Sequence, residues 1–189
     1  MPRFPRERGT VVVSHPSPLS LLPTVADDSL SLRPVTDGDM DFLLALYGTT
    51  REDELARTGW TPEQKAAFVH QQFWAQHHHW HQNYTDTSWD VILRGGESVG
   101  RLYVARWPRE IRVVDIALVP QARGAGLGTR LLRELFREGD ASGRPVSIHV
   151  EIFNPARRLY ERLGFQQAGD RGVYLLMERP PAGAEVGAS

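Results

Sequence analysis

Residues 113–136 read VVDIALVPQARGAGLGTRLLRELF, and this stretch decides the fold. Val113, Val114, Ile116, Leu118 and Val119 make a short β-branched apolar run, the mark of a buried strand. Pro120 closes it, because proline brings no N–H to a ladder. Arg123-Gly124-Ala125-Gly126-Leu127-Gly128-Thr129 follows, and then an amphipathic helix. Leu127, Leu131, Leu132 and Leu135 recur on one helical face, while Arg130, Arg133, Glu134 and Arg137 take the other. Strand, glycine-rich turn and helix in that order bring bare backbone and unpaired helix N–H groups to one point. With the helix dipole, these make a seat for a phosphate-type anion.

Two glycine loops do not fit. A P-loop requires Gly-x-x-x-x-Gly-Lys-Ser/Thr, and no lysine follows here. A dinucleotide fingerprint requires Gly-x-Gly-x-x-Gly, whereas the spacing is Gly124-x-Gly126-x-Gly128. Gln121-Ala122-Arg123-Gly124-Ala125-Gly126 instead resembles the acyl-CoA pyrophosphate loop of the GNAT superfamily of N-acetyltransferases. A β–α turn without a ligand is the competing reading of this segment taken alone. A second motif stands downstream: the strand Val146–Glu151, then Asn154-Pro155-Ala156-Arg157-Arg158-Leu159-Tyr160-Glu161-Arg162-Leu163-Gly164-Phe165. It is similar to the other GNAT hallmark, a strand, an Asn, a short helix with a Tyr, and Leu-Gly-Phe. Asn154 suits an N-cap, Pro155 the first helical position and Gly164 the C′ position. Asn154 and Tyr160 stand six apart, where the family more often has seven. The resemblance extends over Ser29 to Met177.

The resemblance implies an α+β fold. Its central sheet is mixed, mostly antiparallel and flanked by helices, with one parallel strand pair that splays and holds the donor thioester in the gap. It implies an N-acyltransferase that moves an acetyl or other acyl group from acyl-CoA to an amine by direct attack in a ternary complex. Arg123, Gly124, Ala125, Gly126, Leu127, Gly128 and Thr129 would hold the pyrophosphate, Leu118 and Val119 the pantetheine arm, and Asn154 would join the donor site. Tyr160 matches the family's Tyr that protonates the departing thiolate, with a hydroxyl pKa of about 10 near that of a thiol. The general base stays open among Asp115, Glu151 and His149, and some members use none. Acetyl-CoA or another acyl-CoA is the expected cosubstrate, with no metal. Three other readings stand beside this one: a non-catalytic acyl-CoA-binding or regulatory module, an acyltransferase with a longer-chain or carrier-protein donor, and a protein-interaction module with an empty loop. The presence of Tyr160, Asp115 and Glu151 favours the enzyme.

Composition narrows the classes further. With 189 residues, 41% hydrophobic and 24% charged, there is room for one soluble domain with a full core. No cysteine is present, which excludes disulfides, thiolate catalysis and Cys-type zinc sites. A formal net charge of −1 argues against a nucleic-acid partner, and no apolar run reaches membrane-spanning length. Charge is uneven along the chain. Nine acids face three arginines from Asp27 to Glu63, and basic residues dominate from Arg94 to Arg179. That asymmetry suits a cationic amine and a polyphosphate donor, or simply solvated helix faces. Lys65 is the only lysine. The expected organisation is a tail at 1–28, the acetyltransferase-like domain at 29–179 and a Pro/Ala/Gly tail at 180–189, in a cytoplasmic protein. The amine acceptor, whether small molecule, peptide or protein, is left open, as is a homodimer.

The other elements follow from pattern. Leu30–Pro34 reads as a strand, and Thr36 or Asp37 caps a helix through about Tyr47. A second short helix spans Glu52–Arg57. Thr61, Pro62 and Gln64 spell a capping box that opens a helix to about His81. Its end, Phe73 to His81, carries His77 and His81 at a chelating i, i+4 spacing without a third ligand; a packed or solvated aromatic helix end and the lining of an acceptor pocket both stand ahead of a metal site. Trp89–Arg94 and Ser98–Arg106 form a hairpin over Gly95-Gly96, and Glu110–Val119 is the next strand. Gly139–Gly143 reads as a loop. Phe165–Ala168 and Val173–Met177 are the last strands, turned by Gly169-Asp170-Arg171-Gly172.

Overall fold

A computed structural model describes residues 29–183. The sequence-predicted tails at 1–28 and, beyond Gly183, at 184–189 lie outside the described residues. The elements are β1 (Leu30–Pro34), α1 (Met40–Leu55), α2 (Pro62–Asn83), β2 (Thr87–Arg94), β3 (Glu97–Arg106), β4 (Ile111–Leu118), α3 (Leu127–Ser142), β5 (Val146–Glu151), α4 (Arg157–Arg162), β6 (Gln166–Arg171) and β7 (Tyr174–Arg179). They build one seven-stranded sheet in the order β1-β2-β3-β4-β5-β7-β6. Every neighbouring pair is antiparallel except β4 and β5. This is the mixed sheet expected from the sequence.

The parallel pair is short. It holds only Ile111↔Val146, Arg112↔Ser147 and Val113↔Ile148. Past these rungs β4 continues to Leu118 on β3, and β5 continues to Glu151 on β7. The split begins at a β-bulge. Tyr103 faces Asp115 and Val104 faces Val113, so Val114 is the extra residue. A bulge bends its strand and raises the twist, which turns β4 away from β5.

The core explains why these elements dock. Leu131, Leu132 and Leu135 of α3 are fully buried, beside Leu127 and Phe136. Each such leucine contributes roughly 1.5–3 kcal/mol by leaving water. They meet Ile111, Val113, Val146 and Ile148 of the parallel pair in one cluster. A second cluster, Leu43, Tyr47 and Phe73, joins α1 to α2. The capping box stands as the sequence predicts: Gln64 N–H donates to Thr61 Oγ1 and Thr61 N–H to Gln64 Oε1.

Four boundaries differ from the sequence reading. The two short helices before Gly59 are one, because Thr49 and Thr50 satisfy their hydroxyls on Leu46 and Tyr47 carbonyls without breaking the ladder. Helix α3 runs through Gly139 to Ser142. A Cβ at Gly139 would lie 2.7 Å from the Arg144 carbonyl, so this glycine serves a close approach and Gly143 (φ +66°) ends the helix. Strand β6 continues through Gly169, Asp170 and Arg171, leaving a turn of Gly172-Val173 alone. Finally, α4 starts at Arg157 with Ala156 as N-cap. Asn154 instead accepts from Ala156 N–H at 2.9 Å, closing a turn before the helix. Gly164 takes the positive φ (+92°) expected after α4.

Candidate functional site

The turn between β4 and α3 is built from backbone. Pro120–Ala122 is a single 3-10 turn, and Gly124 and Gly126 both hold positive φ, +77° and +78°. Nothing lies within 4 Å of where a Cβ would stand on Gly124, Gly126 or Gly128, so the approach is clear. The first bond of the helical ladder runs from Arg130 N–H to Gly126 O. The N–H groups of Leu127, Gly128 and Thr129 therefore precede the ladder at the positive end of a sixteen-residue helix. Arg123 is committed differently from its sequence-predicted contact with a pyrophosphate: its guanidinium donates to Leu118 O at 2.9 Å and to Thr49 Oγ1 at 2.8 Å, pinning the end of β4 to α1. Val119 N–H donates to Val99 O and Val119 O accepts from Ala122, so the backbone of Val119 is engaged.

Along the split lies a cavity of about 510 Å³. Helix α1 supplies Tyr47, Thr50 and Arg51; α2 and the residue after it supply Gln76, His79, Trp80 and Tyr84. Val114 to Ala117 form the β4 wall, His149 and Glu151 the β5 wall, and Asn154 and Tyr174 the rim. The sequence-predicted candidates Asp115, Glu151, His149 and Asn154 thus come together. Tyr160 sits in the core behind this wall, packed edge-on against Phe165 at 5.7 Å.

The two carboxylates differ in company. Asp115 receives Arg101 Nε at 2.7 Å, and Arg101 is only 3% exposed. Arg101 also lies 5.3 Å from the ring centres of both Trp80 and Tyr103. Glu151 is 44% exposed toward the cavity, with Arg51 Nη1 at 3.6 Å and the Tyr174 hydroxyl donating at 3.5 Å. Burial raises the Tyr103 hydroxyl to about 12. Burial first, and the Asp115 charge second, push the Tyr160 hydroxyl well above its usual range.

Sequence reasoning missed Arg101, Arg51, Tyr84 and Tyr174. A signal existed for Arg101, an arginine between Gly100 and Leu102 in an otherwise apolar strand. The His/Trp segment divides: His79 and Trp80 face the cavity, while His81 stacks on Trp89 at 4.1 Å and His77 on Phe73 at 5.8 Å. Burial and neighbouring histidines lower the pKa of His77 and His81. Among the described residues, no group of three or more His, Asp or Glu is placed to hold a metal, and no helix is long and apolar enough to cross a membrane.

Comparison with known proteins gives the same picture. The family model for the acetyltransferase (GNAT) domain matches residues 68–167, 100 of the 189. A putative alanine N-acetyltransferase of ribosomal protein bS18 from Bacillus subtilis is 37% identical over 90 residues, 44% of this chain and 57% of that protein. The match thus spans little more than half of that relative. The structure of PaiA N-acetyltransferase from Thermoplasma acidophilum, solved with coenzyme A, superposes with a TM-score of 0.60 at 15% identity over 80% of this chain and 99% of the other. The ribosomal-protein-S18-alanine N-acetyltransferase of Escherichia coli superposes at 0.53 with 18% identity, over 85% and 99%. At such identities the solved structures establish the shared fold.

Proposed function

Because the chain belongs to the GNAT acetyltransferase family, we propose that it transfers an acyl group, acetyl first, from acyl-CoA to an amine in a ternary complex. One observation carries this reading. The parallel strands separate after three rungs, with an anion-ready loop following β4 and a polar, aromatic-walled cavity lined by both separated strands. The N–H groups of Leu127, Gly128 and Thr129 and the bare loop Gly124–Gly126 bind the pyrophosphate. Arg123 acts through its charge and by fixing Leu118. The edge of β4 that faces the gap beyond Val113 meets the pantetheine arm and offers N–H to the acyl oxygen.

The amine nitrogen attacks the thioester carbon, a C–N bond forms and the carbonyl pair moves to oxygen. Collapse restores C=O and breaks C–S, with its electron pair leaving on sulfur. Glu151 takes the proton from the nitrogen, directly or through a water, because it is the more exposed carboxylate. Asp115 is engaged by Arg101; burial first, and the Asp115 charge second, keep Tyr160 protonated. Tyr160 supplies the hydrogen bond, and finally the proton, to the thiolate. Solvent exchange resets both groups. The acceptor we place first is a protein N-terminal amine, on the strength of the Bacillus subtilis relative and the aromatic walls Tyr47, Trp80, Tyr84 and Tyr174. A cytoplasmic location goes with a CoA donor.

Titration calorimetry with acetyl-CoA, CoA and dephospho-CoA tests the donor site. Acylation of peptides with an N-terminal alanine, against small amines, tests the acceptor, with Tyr160→Phe as the chemical control. No heat with any of the three donors defeats the acyl-CoA reading. Turnover of small amines alone defeats the protein acceptor.

A further inference from the structure

Large apolar side chains left in water are few in this molecule, and they are not scattered. Among the described residues four are exposed: Trp60, Phe153, Val173 and Tyr174. Trp60 packs edge-on against Phe68. The other three stand together. Phe153 lies in the turn after β5 and is 96% exposed, and Val173 lies in the turn between β6 and β7 and is 68% exposed. Ile152 N–H donates to Val173 O at 3.1 Å, so the two turns are bonded side by side. Tyr174 faces Glu151 in the β5–β7 register, and its hydroxyl donates to Glu151 at 3.5 Å.

Both turns are tied by their own backbone. Asn154 N–H donates to Glu151 O at 2.9 Å, which closes a four-residue turn that contains Phe153. Gly172 N–H donates to Asp170 Oδ1 at 2.9 Å, and Gly172 takes φ +74°. The chain thus holds two apolar side chains out of the fold, beside the exposed polar residues Asn154 and Asp170. An apolar patch rimmed by polar groups marks a contact site. Position tells which one. Phe153 is bracketed by Glu151 and Asn154, and Val173 adjoins Tyr174; all three of those neighbours line the cavity. The patch is the outer lip of that cavity.

Size and charge order tell what covers it. A phenylalanine offers roughly 150–250 Å², far below the ~800 Å² that each partner of a stable dimer buries. There is room for one or two side chains rather than for a subunit. Going outward, the wall presents a carboxylate, Glu151, and then the apolar lip. A peptide N-terminus has the matching order, an ammonium followed by side chains spaced about 3.3 Å apart along an extended chain. Glu151 and Asn154 close a turn, so their Cα atoms lie within about 7 Å of each other, roughly two extended residues. An amine at Glu151 therefore brings the second or third residue of its own chain to Phe153. We propose that Phe153 and Val173 select the acceptor: the cavity takes the amine of a polypeptide N-terminus, and the lip takes an apolar side chain at its second or third position. This rests on the acyltransfer reading above, with a protein N-terminal amine as acceptor. A small monoamine ends before the lip, and a polyamine would lay a charge on it at a desolvation cost. Because the lip stands exposed in the free protein, an apolar side chain gains by covering it without a rearrangement.

Initial-rate kinetics on two series of N-terminal peptides tests this, one varied at the second residue and one at the third, each through Leu, Ser and Asp. In the wild type, Leu at the selected position should raise kcat/KM about 10-fold over Ser, mostly through KM, with Asp slowest. In Phe153→Ser that Leu-to-Ser ratio should fall to within about 2-fold, and in Val173→Ser part of the way, with acetyl-CoA affinity by calorimetry within about 2-fold of wild type. Both side chains are exposed, so the melting temperature should hold, and a lost preference then reports the lip and not the fold. A merely structural role would slow all peptides equally, and that result overturns the proposal. So does a wild type indifferent at both positions, or a preference that survives Phe153→Ser. A dimer in light scattering that Phe153→Ser dissolves, with the peptide ratios unchanged, gives the lip to a second copy and also overturns it. Absence of heat with any donor, or turnover of small amines alone, removes the reading beneath the proposal. Absence of the preference while N-terminal peptides turn over removes the proposal alone.

Discussion

The two sites beside the split between β4 and β5 are made of different material. The proposed donor site is backbone: glycines at positive φ, the open N–H groups of α3, and the β4 edge past its last rung with β5. The proposed acceptor site is side chains from six elements, among them Tyr47 and Arg51 of α1, Trp80 of α2, Arg101 of β3, Asp115 of β4, Glu151 of β5 and Tyr174 of β7. A backbone site accepts one chemistry, a linear chain ending in phosphates, and tolerates few changes. A side-chain site can be rebuilt one residue at a time around a fixed donor.

The comparison breaks most sharply at Gly126. Gly126→Glu places an L-residue at φ +78° and a carboxylate beside the anion seat, so acetyl-CoA affinity should fall more than about 100-fold by calorimetry. Retained affinity would mean that the loop is not the donor site. Leu132→Ala probes the packing that carries the loop's helix. It should cost about 2–5 kcal/mol in urea unfolding, because Leu132 is fully buried in the core cluster. Asp39→Asn probes the scaffold before α1. Asp39 accepts from Arg33 at 2.6 and 2.8 Å and from Thr36, and the Arg33 guanidinium holds its carboxyl well below the usual range. A depressed folded pKa adds stability above the unfolded value, near 3.9, and that stability is lost as pH falls below it. The variant should lose about 1.5–3 kcal/mol at pH 7, and its deficit should shrink as the wild type is acidified below pH 4. A deficit independent of pH would show that the charge is not what matters. The smallest effect belongs to the acceptor end. Arg51→Ala should change acceptor KM by about 3- to 10-fold and leave acetyl-CoA affinity within about 2-fold, since its ion pair to Glu151 is long and half exposed. A larger effect on the donor than on the acceptor would join the two ends energetically.

Legibility follows the same division. The loop and α3 were readable because a backbone seat demands glycines at fixed spacing and an amphipathic helix directly after them. The apolar face named from the spacing, Leu127, Leu131, Leu132 and Leu135, is the buried face. On the acceptor side the sequence named Asp115, His149, Glu151 and Asn154, but α2 was visible there only as an odd concentration of Trp and His, and the sequence could not say that His79 and Trp80 face the cavity while His81 stacks on Trp89. Arg101 and Asp115 meet across strands whose register turns on a bulge at Val114, and no local pattern announces a bulge. Gly139 looked like a helix breaker. Its reason is a neighbour five residues on, the Arg144 carbonyl, which only the folded chain brings close. Asn154 and Pro155 satisfied every rule for a helix start, and the chain spent them on a turn one step earlier. The hydrogen bond from Arg112 to Ser147 likewise needed β4 and β5 in register before it existed at all.

Three rungs between β4 and β5 also say how the molecule should breathe. Strands β1 to β4 and strands β5 to β7 are each continuous ladders, and only Ile111–Val113 and Val146–Ile148 sew them together. Amide exchange should therefore be fast along the open edges past the seam and slow on either side of it. On the proposed donor site, a pantetheine chain between those edges would act as the missing stitches. Saturation with acyl-CoA should slow exchange at 114–118 and 149–151 before anywhere else, and should raise the melting temperature in proportion to the logarithm of the ligand concentration.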